Sequence, residues 1–193
     1  MGEAGNHDWA IVLMKVCVFC SSRTHLVDSL ADVSASFAQS LVAGKMELVY
    51  GGSTDGLMGR LADSVLQMGG RVTGVFPEGL FPTEVAHRGL SKMFFTKDLM
   101  ARKTTMMDIS DAFVMFPGGI GTLDEALEVM TWKSLGKLDK PIFFYNWNGF
   151  WDSFFKLMSD LESKDVLYPE AMASFASVDS LDALFKGLND ARK

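Results

Sequence analysis

Short apolar runs alternate with stretches of helical spacing along nearly the whole chain, and that alternation limits the folds open to it. Residues 15–21, 46–50, 71–76, 112–116 and 141–145 are strand-like, 93–96 is a shorter candidate, and 174–178 is a possible edge strand. Residues 25–43 carry Leu26, Leu30, Val33, Phe37 and Leu41 at the spacing of one helix face. Residues 57–68, 98–110, 122–135, 150–161 and 181–188 read as helices in the same way. Strands separated by helices of this length build right-handed β-α-β units, so the expected fold is α/β, a parallel sheet with helices on both faces. Ligands of such sheets bind beyond the carboxyl ends of the strands. The loops at 21–22, 51–59, 77–89 and 117–122 are therefore the ones to inspect.

At 193 residues, 48% hydrophobic and 22% charged, the chain has the size and balance of one globular domain. Residues 1–13 read as a disordered leader and residues 14–193 as that domain. The formal net charge is −6, and no run of Lys or Arg stands out, which speaks against a nucleic-acid partner. The apolar stretch at 9–20 is broken by Lys15 and is shorter than the roughly 20 residues a bilayer requires. It also lacks the basic flank and cleavage site of a signal peptide, so no membrane partner and a cytoplasmic location are expected.

Cys17 and Cys20 form a C-x-x-C, a spacing used by redox and metal sites. On a strand, however, residues three apart point to opposite faces. The pair reads instead as two small apolar residues at the end of a buried strand. His7, His25 and His87 lie far apart and no cluster has ligand spacing, so neither a metal nor another cofactor is expected.

Three motifs carry chemistry. In PGGIGTLDE, residues 117–125, a Gly-rich turn follows a strand and opens a helix. Gly118, Gly119 and Gly121 let the backbone approach a ligand, and Thr122 can cap the helix. Free N–H groups and the partial positive charge of a helix start form a ready anion site, best matched by a phosphate. Glu125 follows one turn later, with Glu128 and Trp132 on its face and Asp124 turned away. A carboxylate repels phosphate, so it is expected to face another part of the ligand; the plainer reading is a residue that complements the helix dipole. The second motif, YGGSTDGLMG at 50–59, is again strand, Gly-rich turn and helix, but it matches neither a Walker loop nor a dinucleotide fingerprint. The third, Arg102-Lys103, offers a bidentate guanidinium and a point charge, or simply a solvated helix face.

Taken together, VFCSS at 18–22, YGGSTDGLMG, EVAHRGL at 84–90, ARK at 101–103 and PGGIGTLDE with EVMTW at 128–132 resemble the LONELY GUY family. These are the cytokinin riboside 5′-monophosphate phosphoribohydrolases. The resemblance runs from about residue 15 to about residue 178. It implies a Rossmann-like, doubly wound sheet and at least a homodimer. It also implies hydrolysis of a nucleoside 5′-monophosphate to free base and ribose 5-phosphate. By the same resemblance Arg102 and Glu125 are the catalytic pair. Gly118, Gly119, Ile120, Gly121 and Thr122 bind phosphate, and Ser22, Gly51, Gly52, Glu84 and Lys103 lie beside the substrate. One departure is Ser53, where the family usually has a third glycine; its side chain can narrow the pocket or add a hydrogen bond. Such sequences have also carried a lysine decarboxylase label, but that chemistry usually rests on pyridoxal phosphate held by a Schiff-base lysine, and no lysine here stands in such a setting.

Cleaving a ribosyl–base bond builds positive charge on the sugar, which Glu125 can stabilise, or it can orient the water. Arg102 can hold phosphate or ribose oxygens and keep Glu125 ionised. Two other readings remain: a module that binds and senses a nucleotide without cutting it, and a general AMP nucleosidase indifferent to N6 substitution. On the helices at 122–135 and 150–161, apolar residues on every side call for burial beyond the sheet, as a dimer would supply.

Overall fold

The computed structural model describes residues 13–80 and 85–192, so residues 1–12 of the expected leader lie outside the described part. Seven strands form one sheet: β1 (Met14–Phe19), β2 (Met46–Tyr50), β3 (Arg71–Pro77), β4 (Lys92–Thr96), β5 (Ala112–Met115), β6 (Ile142–Tyr145) and β7 (Ala176–Val178). The helices are α1 (Ala31–Ala43), α2 (Gly56–Gln67), α3 (Leu99–Ile109), α4 (Ile120–Ser134), α5 (Asp152–Glu162), α6 (Pro169–Met172) and α7 (Leu181–Asp190). The strand order is β4-β3-β2-β1-β5-β6-β7, and every neighbouring pair is parallel. This is the expected doubly wound, Rossmann-like arrangement. The chain starts at the centre, winds outward through β4, and returns to lay β5 against the free side of β1.

The strands are buried on both sides, which is why they read as near-continuous apolar runs rather than alternating ones. One core layer lies under α1, α2 and α7 and contains Phe37, Leu41, Leu61, Phe116 and Leu184; the other lies under α3, α4 and α5 and contains Met106, Phe113, Val129 and Met158. Cys17 faces the second layer and Cys20 the first, both as buried free thiols, as strand geometry requires. Around Phe144 the second layer is aromatic: Trp151, Phe154, Phe155 and Phe175 lie with ring centroids 5.1–5.6 Å from it. Apolar residues on several sides of α5 are thus largely covered within the chain. On α4, by contrast, Leu127 and Trp132 stay exposed, as does Leu135 at its C-cap.

Element ends differ from the sequence reading in two informative places. The helix expected at 25–43 is a 3-10 turn, Thr24–Leu26, followed by α1 from Ala31. The cause is the exit from β1: the Ser21 N–H donates to Pro117 O (3.2 Å) and Ser21 O accepts from the Leu57 N–H (3.1 Å), which stretches the chain between β5 and α2 before it can coil. Helix α6 is only four residues long, with Pro169 at its first position, too short for a periodicity to register.

Gly59 shows how closely the second motif is packed. A Cβ there would stand 1.9 Å from the carbonyl oxygen of Thr54, a backbone atom that cannot swing away. In an exposed helix interior Gly→Ala stabilises by about 0.8–1 kcal/mol. Here Gly59→Ala should lower stability instead, by about 1–3 kcal/mol, the usual scale of overpacking. A thermal melt of the variant reads the sign directly, and a raised Tm would contradict the packing.

Candidate active site

The ladder between β1 and β5 runs on past both strands, with the Phe116 N–H donating to Phe19 O (2.9 Å) and the Ser21 N–H to Pro117 O. Beyond that point the two chains part, one towards the 3-10 turn and the other into α4. This is the switch point where a doubly wound sheet opens a crevice. A cleft of about 280 Å³ sits there, near the small end of ligand pockets, lined by Cys20, Ser21, Ser22, Arg23, Met58, Arg102, Gly119, Ile120, Gly121, Thr122 and Glu125.

One wall is the start of α4. Its N-cap is Gly119, with no side-chain cap, and the first intrahelical bond runs from the Leu123 N–H to Gly119 O (3.0 Å). Thr122 is therefore not the cap but the third helical residue. Its buried side chain packs where a Cβ on Gly118 would stand, 2.1 Å from Thr122 Oγ1, so Gly118 supports the turn rather than lining the cleft. A Cβ on Gly119 or Gly121 would meet nothing within 4 Å. What those two glycines keep open is the cleft itself. The N–H groups of Ile120, Gly121 and Thr122 precede the first turn's bonds and are free to hold an anion.

Glu125 and Arg102 form the floor. Arg102 Nη2 lies 3.6 Å from Glu125 Oε1, and the two side chains are 11% and 12% exposed. Arg102 reaches this place only because residue 51 is glycine: a Cβ there would stand 2.1 Å from Nη2. Gly51 thus acts behind the arginine rather than in the cleft lining. Burial pushes the Glu125 carboxyl up to about 7, and Asp124 and Glu128 add to the rise; Arg102 and Lys103 offset part of it. The expectation that Arg102 keeps Glu125 ionised needs this correction, because desolvation outweighs the guanidinium. Burial raises the Cys17 and Cys20 thiols well above their ordinary range, so neither is an activated nucleophile.

Lys103 does not line the cleft. Its ammonium contacts Glu128 Oε2 at 2.5 Å and Asp124 Oδ2 at 3.1 Å, tying α3 to α4 behind Glu125. Asp124 is therefore not turned away, since it shares this lysine with Glu128 one turn on. Partial burial alone would lower the Lys103 pKa, but the two carboxylates outweigh it and the pKa rises. Gly52 takes a left-handed φ of +77° and packs under Met93 and Phe76, outside the lining. Ser53 is fully buried and its Oγ accepts from the Asp55 N–H (3.1 Å), so the departure at this position adds a hydrogen bond inside the turn and does not narrow the cleft. Ser22 and Ile120 line the cleft, whereas Glu84 lies outside the described residues. Sequence reasoning passed over Cys20, Arg23 and Met58 as lining residues; Met58 sits inside the quoted second motif, and nothing in the sequence marks Arg23.

A family model described as possible lysine decarboxylase matches residues 58–188. Two proteins of Arabidopsis thaliana, both named cytokinin riboside 5′-monophosphate phosphoribohydrolase, are 36% and 34% identical over 176 residues; the matches cover 91% of this chain and 83% and 82% of theirs. Among solved structures, the molybdenum cofactor carrier protein of Chlamydomonas reinhardtii superimposes with a TM-score of 0.69 at 16% identity, over 93% of this chain and 98% of that one, a likeness of fold. The decarboxylase description does not fit the residues present. A Schiff-base lysine needs a free amine, and Lys103, the lysine nearest the site, is held protonated by two carboxylates.

The raised Glu125 pKa has a consequence for stability. An unfolded chain releases this proton near the ordinary value of 4.5, whereas the folded protein holds it up to about 7. Unfolding therefore releases a proton between these limits, and stability falls as pH climbs from about 4.5 to about 7. Urea midpoints at about pH 5 and about pH 8 should show this loss in the wild type and a smaller one in Glu125→Gln, whose side chain cannot ionise. Parallel pH dependence in the two proteins would contradict the buried carboxylate.

Proposed function

The chain belongs to the cytokinin riboside 5′-monophosphate phosphoribohydrolase family, and from that premise we propose that the cleft at the β1/β5 split hydrolyses the N-glycosidic bond of a (N6-modified) adenosine 5′-monophosphate. Water supplies the hydroxyl that bonds to C1′ and the proton that ends on the purine, so the products are free base and ribose 5-phosphate. The observation that carries this reading is a buried carboxylate one turn behind an uncapped helix start. A protein that only held phosphate would gain nothing from Glu125, whose charge opposes the ligand's. A glycosidase needs both: an anchor for the phosphate, and a negative group where the sugar becomes cationic.

In this mechanism the N–H groups of Ile120, Gly121 and Thr122 take the 5′-phosphate. Glu125, deeper in the cleft, meets the ribose at C1′ and stabilises its developing charge or orients the water. Arg102 holds ribose oxygens and tempers the cost of a buried carboxylate. Cys20 and Met58 give the remaining wall an apolar surface suited to a base. The same proposal takes the protein to be a cytoplasmic homodimer. Ile120 at the mouth of the cleft is 85% exposed, and Leu127 and Trp132 on α4 and Leu135 at its C-cap follow it, an apolar surface that a second copy would cover. Among the described residues no helix is long and apolar enough to cross a membrane.

Incubation with AMP or its N6-isopentenyl derivative should release the free base and ribose 5-phosphate, while adenosine, lacking the phosphate, should be a very poor substrate. Comparable kcat/KM for adenosine and AMP would overturn the assignment. In Glu125→Gln, kcat should fall roughly 10²-fold or more, the scale of a lost electrostatic or general-base group, with AMP binding retained. Because the ionised carboxylate is the working form, kcat/KM of the wild type should rise as pH climbs through about 7. A folded Glu125→Gln protein that binds AMP and turns it over at the wild-type rate would refute the role.

A further inference from the structure

Two cations line the cleft, Arg23 and Arg102. They differ in what they already hold. The charge of Arg102 faces Glu125 at 3.6 Å. Behind it, Lys103 is taken by Asp124 and Glu128. Arg23 has no carboxylate within ion-pair distance among the described residues.

Its place in the cleft is built rather than incidental. The Ser21 N–H donates to Pro117 O, and Ser21 O accepts from the Leu57 N–H. The Arg23 N–H donates to Ser21 Oγ (3.0 Å), and its backbone is extended, with φ −82° and ψ 146°. Gly56, at φ +56°, leaves the room: a Cβ there would stand 2.3 Å from the Ser22 carbonyl and 2.8 Å from Arg23 N. The loop is thus clasped by β5 on one side and α2 on the other, which fixes the Cα of Arg23 beside the mouth of the cleft.

The charge balance of the bound state shows what this residue does. A phosphate monoester carries about −1.5 to −2 at neutral pH, and it must enter a chain whose formal net charge is −6. The start of α4 supplies a partial charge of about +0.5. Arg102 is already matched to Glu125. The cation left to balance the phosphate is the guanidinium of Arg23, whose planar fork suits two phosphate oxygens. Building on the hydrolase reading above, we propose that Arg23 reaches from the β1 loop to the 5′-phosphate while the α4 start holds it from the other wall, and that Arg23 sets the preference for phosphorylated substrates. It is a binding residue; Glu125 and Arg102 keep the chemistry.

The test uses Arg23→Ala and Arg23→Lys, with two readouts. Calorimetry with ribose 5-phosphate measures the phosphate grip without turnover, and steady-state kinetics on AMP separates KM from kcat. In Arg23→Ala the affinity for ribose 5-phosphate should drop about tenfold or more and KM for AMP should rise in step, the scale of a lost charge-assisted hydrogen bond. Arg23→Lys, which keeps the charge without the fork, should recover part of the loss. Because Arg23 is exposed, the melting temperature should not change. Unchanged affinity and KM in Arg23→Ala would overturn the proposal, as would a wild-type protein that does not bind ribose 5-phosphate. If the wild type releases no base from AMP yet binds ribose 5-phosphate through Arg23, the hydrolase reading fails and the phosphate role stands. If base is released and neither readout depends on Arg23, the reverse holds.

Discussion

Everything in this cleft depends on keeping the Glu125 carboxylate buried against a guanidinium. Glu125 sits on the second turn of α4 and is almost wholly out of water, which costs its ionised form enough to move its pKa to about 7. Only the Arg102 guanidinium at 3.6 Å, with Lys103 behind it, keeps that cost from being larger. Arg102 in turn lies where any side chain on residue 51 would collide with it. A glycine at the end of β2, an arginine on α3 and a glutamate on α4 are therefore one device, and the sheet order that puts β2 and β5 on either side of β1 is what assembles it. The second Gly-rich motif, which by itself says only that backbone comes close to something, finds its purpose there: the close approach is to a protein side chain.

The same crevice separates two electrostatic tasks. In the proposed hydrolysis the uncapped start of α4 and the β1 loop take the phosphate, and the Arg102–Glu125 pair takes the ribose. Lys103, Asp124 and Glu128 form a cluster behind the pair that fixes α3 against α4 and holds Glu125 in place. Anchoring the phosphate well away from the reacting carbon lets binding energy position the sugar, the kind of use in which remote contacts raise turnover rather than affinity alone.

Much of this was legible in the chain. The parallel sheet follows from apolar runs spaced by helical periods, because strands covered on both faces have no polar side to show. The Gly-rich start of α4 and Glu125 stand in one continuous motif, so local geometry was enough to relate them. What stayed hidden depends on contacts between distant segments. Thr122 looked like a cap, but the helix starts two residues earlier and Thr122 packs on Gly118 instead. Lys103 looked like a ligand contact because its partners sit on another helix, Asp124 at 21 positions' remove. The early part of the segment read as α1 follows helical spacing, yet Ser21 is pinned by β5 and α2, and the chain cannot coil until it has crossed between them. Arg23 sits in that crossing, in a loop with no motif to mark it.

The most direct measurement of the central claim is a crystal structure of Glu125→Gln with AMP bound. The phosphate should rest on the N–H groups of Ile120, Gly121 and Thr122, and C1′ should lie against the residue 125 side chain with Arg102 beside the ribose. A nucleotide bound outside the β1/β5 cleft, or lying in it with its phosphate away from α4 and its ribose out of reach of residue 125, would contradict the assignment of this cleft as the place where the glycosidic bond is cut.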